Sequence, residues 1–97
     1  MLGTFVHGEG VTLTHWTLGK DAILPSHSHH HEQISYVVSG KMCFELESGE
    51  AKVLEPGDFA VFASNETHGG VALETSVVLD AFSPAREDFK AEMGWKD

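Results

Sequence analysis

Ninety-seven residues, 41% of them hydrophobic, make one domain around one core: the chain is too short for two, and its apolar content is near the globular average. Fifteen acidic residues against six basic ones give a formal charge of −9, which opposes nonspecific attraction to nucleic acid or anionic lipid, so neither is an expected partner. A small anionic substrate is compatible with that field only where a metal ion or a well-placed arginine supplies local positive charge.

In chain order, Met1-Leu2-Gly3-Thr4 has no charged region followed by an apolar run, and no stretch approaches the ~20 apolar residues that span a bilayer. Export and membrane insertion are not expected. Short segments rich in Val, Phe, Leu and Thr then recur, each ended by Gly, Pro, Ser or Asn, at the spacing of an all-β domain. The pattern predicts about eight strands, the clearest over 10–18, 33–38, 41–47, 51–54, 58–62, 70–73 and 76–82. Ser39-Gly40 and Ser48-Gly49 mark joins between adjacent antiparallel strands. Glu55-Pro56-Gly57-Asp58 is a turn in which Pro fixes φ and Gly accepts a positive one. Cys43 is the only cysteine, which excludes an internal disulfide and makes the cytoplasm the default location. After Ser83-Pro84, the run from Arg86 to Met93 has Phe89 and Met93 four apart and Gly94 as a stop, and predicts one short C-terminal helix. No repeat, low-complexity tract or linker divides the chain, so residues 1–97 are read as a single domain. Small size and an exposed edge strand expected near the N-terminus favour a homodimer.

Seven histidines need a structural explanation. His27 and His29 are two apart, so on an extended backbone both imidazoles project from one face and can share an ion. Gln33 follows at the head of a predicted strand, and His68 lies just before Gly69-Gly70, where a neighbouring strand of a closed barrel can bring it alongside. Three imidazoles and one amide oxygen make a partial shell for one divalent metal ion. Positions stay open for water or substrate, as a catalytic site requires. Nickel, zinc, iron and manganese all accept such donors, so the metal stays open. So does the fourth ligand: Glu32 is adjacent to Gln33, and His31 shares the parity of His27 and His29. A lone histidine would be read as solvated and metal-free, but four aligned positions are not. His7, His15 and His30 lack that alignment and are read as surface or packing residues.

These positions resemble the cupin superfamily. Its first motif, G-x5-H-x-H-x3,4-E-x6-G, is met by His27-x-His29-x3-Gln33-x6-Gly40, with Gly19 further upstream than the form expects. Its second, G-x5-P-x-G-x2-H-x3-N, is matched loosely by Pro56-Gly57-Asp58 and then His68. The resemblance implies a double-stranded β-helix, or jelly-roll barrel, and favours Gln33 as the fourth ligand, since counting back from Gly40 lands on it. Gln33 stands where many cupins have glutamate. A neutral amide leaves the full dipositive charge on the site, which favours Lewis-acid polarisation over high-valent iron chemistry.

Downstream, Asp80 and Phe82 share one face of the last predicted strand, and Arg86 follows a Pro-enforced turn. At a barrel mouth Asp80 can move a proton, Phe82 can wall one side, and Arg86 can clamp a carboxylate by two parallel hydrogen bonds. On residue types alone an equal alternative stands: Asp80 caps the barrel, Phe82 fills the core and Arg86 pairs with acidic residues on the terminal helix. The segment Asp-x-Phe-Ser-Pro-x-Arg-Glu-Asp-Phe, and also 29–40, are similar to the small cupins that process unsaturated uronates in pectin and alginate breakdown. That resemblance implies a metal-bound cupin converting a 4,5-unsaturated monouronate ring to its linear keto form, with Asp80, Phe82 and Arg86 in the active site. The chain is shorter than that family's usual length, mainly before the first motif. Two further readings accompany this isomerase-like enzyme: a non-catalytic ligand-binding or sensor module, and a metal-dependent dioxygenase, which the glutamine makes less attractive.

Overall fold

Alternating side chains dictate strands here. In Thr12–Leu18 the inward positions Thr12, Thr14 and Leu18 are buried while Leu13 and His15 face out, and Ser76–Ser83 shows the same two-residue period. The computed structural model describes residues 2–87 and contains nine strands. They are β1 (Leu2–His7), β2 (Thr12–Leu18), β3 (Ile23–His27), β4 (Glu32–Ser39), β5 (Met42–Leu46), β6 (Ala51–Leu54), β7 (Phe59–Phe62), β8 (His68–Ala72) and β9 (Ser76–Ser83). The helix expected over 86–93 falls largely outside the described residues. Among the described residues no helix is long and apolar enough to cross a membrane.

Pairing is antiparallel throughout and nested: β2 with β9, β3 with β8, β4 with β7, β5 with β6. Such nesting folds the chain into two facing layers, β1-β2-β9-β4-β7 and β3-β8-β5-β6, which is the all-β jelly roll anticipated from the sequence. β3 went unforeseen, and β1 is the edge strand expected near the N-terminus, for which no limits were given; both lie at sheet edges. β3 contains Pro25, which a ladder tolerates only where no N–H is needed. Glycine is required at two joins. Gly40, between β4 and β5, sits at φ +85°, and a Cβ there would collide with Ser76 Oγ and the Thr75 carbonyl. A Cβ on Gly69 would lie 2.8 Å from the Leu24 carbonyl oxygen, so this glycine lets β8 approach β3.

The inward face of the five-stranded sheet is layered by register. Trp16, Val78 and Val37 align across β2, β9 and β4. Next come Thr14, Asp80, Ser35 and Ala60, then Thr12, Phe82, Gln33 and Phe62. Val37 and Val78 of the first layer and Phe62 of the third join Leu18, Met42 and Phe44 in the apolar core shared with the second sheet. Each fully buried side chain of that size stabilises the fold by about 1.5–3 kcal/mol, so these apolar side chains, and not the polar ones beside them, hold the sheets together. The outward face of the same sheet is also apolar. Val6, Leu13, Ala81, Ile34 and Val61 align across all five strands, beside a row containing Leu79, Tyr36 and Phe59. Val61 and Phe59 are 62% and 63% exposed, so no described residue covers this side.

Candidate metal centre

Strand register brings the histidines together. His27 ends β3 directly opposite His68, which opens β8, and the two rings lie 4.6 Å apart between centroids. His29, in the loop after β3, places its ring 5.3 Å from His27 and 5.2 Å from His68. Each ring is held by its Nδ1, which donates to a backbone carbonyl: His27 to Pro25 at 2.9 Å, His29 to His31 at 2.9 Å, His68 to Glu66 at 3.0 Å. A carbonyl only accepts, so Nδ1 carries the proton and Nε2 presents a lone pair in the neutral ring. Aromatic neighbours fix the ring planes further: Phe62 stacks on His68 at 4.2 Å and 13°, and Phe82 meets His29 edge-on at 5.7 Å.

Gln33 completes the cluster. Its Oε1 lies 3.1 Å from Nε2 of His29 and 3.1 Å from Nε2 of His68, while its Nε2 donates to Ser35 Oγ at 3.0 Å. An acceptor oxygen thus faces two acceptor nitrogens, an arrangement that repels itself unless a cation lies between them or the rings protonate. Protonation is disfavoured: burial lowers the pKa of both His29 and His68, opposed chiefly by their bonds to the carbonyls of His31 and Glu66. The donor atoms of His27, His29 and His68 lie within 4.8 Å of one another. Imidazole and amide donors with fixed tautomers fit a divalent ion of the first transition row. Of the alternatives to Gln33, Glu32 is exposed and points outward with Ile34. His31 is buried, with its ring 4.0 Å from His30 and 6.5 Å from Phe82, and is not among the three converging histidines.

Residues 14–82 match the cupin-domain family Cupin_2. The chain is a cupin. Over 72 residues, 72% of its length, this cupin is 46% identical to the pectin degradation protein KdgF of Dickeya dadantii, and the match spans 64% of that relative. Its fold superposes on KdgF from a Halomonas species with a TM-score of 0.85 at 39% identity, covering 90% of this chain and 82% of that one. An RmlC-like cupin from Shewanella frigidimarina follows at TM-score 0.84 and 33% identity, covering 90% and 78%.

The cupin's three downstream residues share one cavity with two of the histidines, His27 and His68. It measures about 200 Å³ and is lined by His27, Gln33, His68, Asp80, Phe82 and Arg86, with Trp16, Leu18, Met42 and Phe44 as apolar walls. Asp80 lies one layer below Gln33 and accepts from Ser35 Oγ at 2.5 Å. Burial raises its pKa from 3.8 to about 6; bonds from Ser35, Gln33 and Trp16 and the charge of Arg86 oppose the rise. A carboxyl poised there exchanges protons near neutrality. Arg86 is buried, its guanidinium 4.7 Å above the Phe82 ring, and its backbone N–H donates to Thr12 Oγ1 at 2.8 Å. Three contributors escaped the sequence reading: Ser35, Trp16 and Thr12. Only Ser35 had a usable signal, its two-residue offset from Gln33 in one strand.

Proposed function

We propose that this cupin is a metal-dependent enzyme that opens the ring of an unsaturated uronate, or a similar small sugar acid, and promotes its tautomerisation to the keto form. The observation that carries the reading is a buried carboxyl, Asp80, and a buried guanidinium, Arg86, facing one cavity with His27, Gln33 and His68. The likeness to the pectin degradation protein supports the substrate class. His27, His29, Gln33 and His68 would hold one divalent ion, nickel, zinc, iron or manganese, which when bound supplies Lewis-acid polarisation of a substrate oxygen.

The chain's own groups do the rest. Arg86 binds the substrate carboxylate, and the Phe82 ring beneath its guanidinium with the Thr12 anchor limits where that carboxylate can sit. Ring opening and tautomerisation shift protons between oxygen and carbon without a change of oxidation state, and the Asp80 carboxyl takes and returns that proton. Trp16, Leu18, Met42 and Phe44 exclude water from the cavity. The test is loss of ultraviolet absorbance from a 4,5-unsaturated galacturonate incubated with the protein; no change in absorbance, with metal bound, rejects the reading.

Metal retention has a pH sign. A protonated imidazole cannot ligate, and burial holds His29 and His68 below their usual 6.5, so the ligating form persists under that pH and is lost as pH falls further. Dialysis at stepped pH followed by elemental analysis should show metal kept at pH 6.5 and released only below it; release above pH 6.5 contradicts this.

A homodimer is the second part of the proposal. The outward apolar rows of the five-stranded sheet contain no Asp, Glu, Lys or Arg, although the chain carries 15 acidic and 6 basic residues. A second copy can therefore cover these two rows without placing like charges in contact, its own outward sheet against the first in a two-fold arrangement, with Glu32 on the same face outside them. Val61→Glu puts a charge in that face, and light scattering should then report a mass near 10.6 kDa, with the unsubstituted chain at about twice that. Equal masses for the two would rule out this face as the interface.

A further inference from the structure

Ser35 lies in β4 with no exposed surface, its backbone opposite Asp80 on one side and Ala60 on the other. Its hydroxyl meets two partners, Gln33 Nε2 at 3.0 Å and Asp80 Oδ1 at 2.5 Å. A hydroxyl has one proton. The Asp80 carboxylate takes it, which leaves Ser35 Oγ only lone pairs to offer Gln33. The side of the amide that faces Ser35, and that also donates to the Asp80 carboxylate, must then be the NH2, and the other side, Oε1, must face His29 and His68. Rotating the amide by half a turn would set Oε1 against the Ser35 lone pairs and turn the NH2 toward the histidines, where it would repel a cation.

We propose that Ser35 is a positioning residue: together with the Asp80 carboxylate, which bonds both Ser35 and Gln33, it sets which atom of the Gln33 amide is presented to the metal, and so makes a glutamine serve where a symmetric carboxylate would need no orienting. The proposal rests on the metal reading above. A glutamate at position 33 carries two equivalent oxygens, so either orientation presents an oxygen to the metal and no choice of atom is left for Ser35 to make. This difference separates orientation from mere packing, because a packing defect at Ser35 would weaken the site whichever residue occupied position 33.

The experiment compares Ser35→Thr with Ser35→Val, close in shape and differing in the hydroxyl, each in the natural background and with Gln33→Glu. Co2+ is the probe, its affinity measured by calorimetric titration of the metal-free protein and its coordination by the visible spectrum. Ser35→Thr should bind within a few-fold of the unsubstituted chain, whereas Ser35→Val should bind about 10- to 100-fold more weakly, the usual effect of losing a partner that orients a ligand. With Gln33→Glu, the Val and Thr variants should differ by less than about threefold, since amide orientation no longer exists to be lost. Equal binding by Ser35→Val and Ser35→Thr in the natural background overturns the role of Ser35, as does an equal loss in both backgrounds. Should the unsubstituted chain bind no Co2+, the metal reading itself falls and this role with it. Thermal unfolding of the metal-free variants runs alongside: if Ser35→Val lacks a cooperative transition while its Gln33→Glu counterpart has one, or the reverse, Ser35 acts on folding and the positioning role is rejected.

Discussion

Asp80→Asn is expected to lower turnover of a 4,5-unsaturated galacturonate by about 10²- to 10⁴-fold, the range for removing a general acid or base, with metal per chain unchanged. The substitution keeps the shape of the side chain and an oxygen to accept from Ser35, but removes the group that can gain and lose a proton in the cavity. Stability should not explain the loss. Asp80 has a folded-state pKa raised from 3.8 to about 6, so the native chain holds this proton more tightly than the unfolded chain does. Its contribution is present at low pH and disappears as pH rises through about 6; above that, the buried carboxylate opposes folding by on the order of 3 kcal/mol, with the bonds from its partners already included. Asparagine carries no such charge. Metal-free Asp80→Asn should therefore melt no lower than the unsubstituted chain at pH 7.5. Turnover within threefold of the unsubstituted rate would remove Asp80 from the chemistry.

His68→Ala should abolish stoichiometric metal binding and destabilise the fold together. His68 is 3% exposed, its ring stacked on Phe62, its Nδ1 tied to the Glu66 carbonyl, its Nε2 facing Gln33 Oε1. Truncation leaves a void beside Phe62, with a cost of about 2–4 kcal/mol for a buried ring of that size in the metal-free protein. In the metal-loaded protein a further loss appears, because whatever binds only the native state adds its binding free energy to stability. Elemental analysis with paired melting curves, with and without a chelator, measures both parts. The unsubstituted chain should lose stability on chelation and His68→Ala should be indifferent to it. A variant that keeps one ion per chain contradicts the placement of His68 in the site.

The strands between strong punctuation were legible before any coordinates. Ala51–Leu54, flanked by Ser48-Gly49 and Glu55-Pro56-Gly57, matched the expected limits, and the flanking glycines do adopt positive φ. β3 was not legible, and β1 was expected only as an N-terminal edge strand without limits, because both contain residues that break the alternating pattern. An edge strand needs only one partner, so Gly3 and His7 in β1 and Pro25 and Ser26 in β3 are tolerated there and blur the alternating pattern. In the site, the histidines and Gln33 stood out because their spacing and their distance from Gly40 form a recognisable pattern. Ser35 did not, since a serine in a strand is unremarkable until its neighbours are known. Asp80 meets Ser35 across a ladder spanning 45 residues, and no local periodicity reports such a pairing. Trp16 and Thr12 were hidden likewise, as ordinary strand residues whose inward parity only the closed barrel turns into walls and anchors. The placement of Arg86 over Phe82 was also beyond reach, because it depends on where β9 ends relative to β2.

The most direct measurement is X-ray absorption at the metal edge of the protein as purified, with the metal first identified and counted by elemental analysis. One ion per chain is expected, with about three imidazole nitrogens near 2.1 Å and light oxygen donors completing the shell. A chain without a stoichiometric ion, or an ion with fewer than two imidazoles around it, would contradict a centre built from His27, His29, Gln33 and His68.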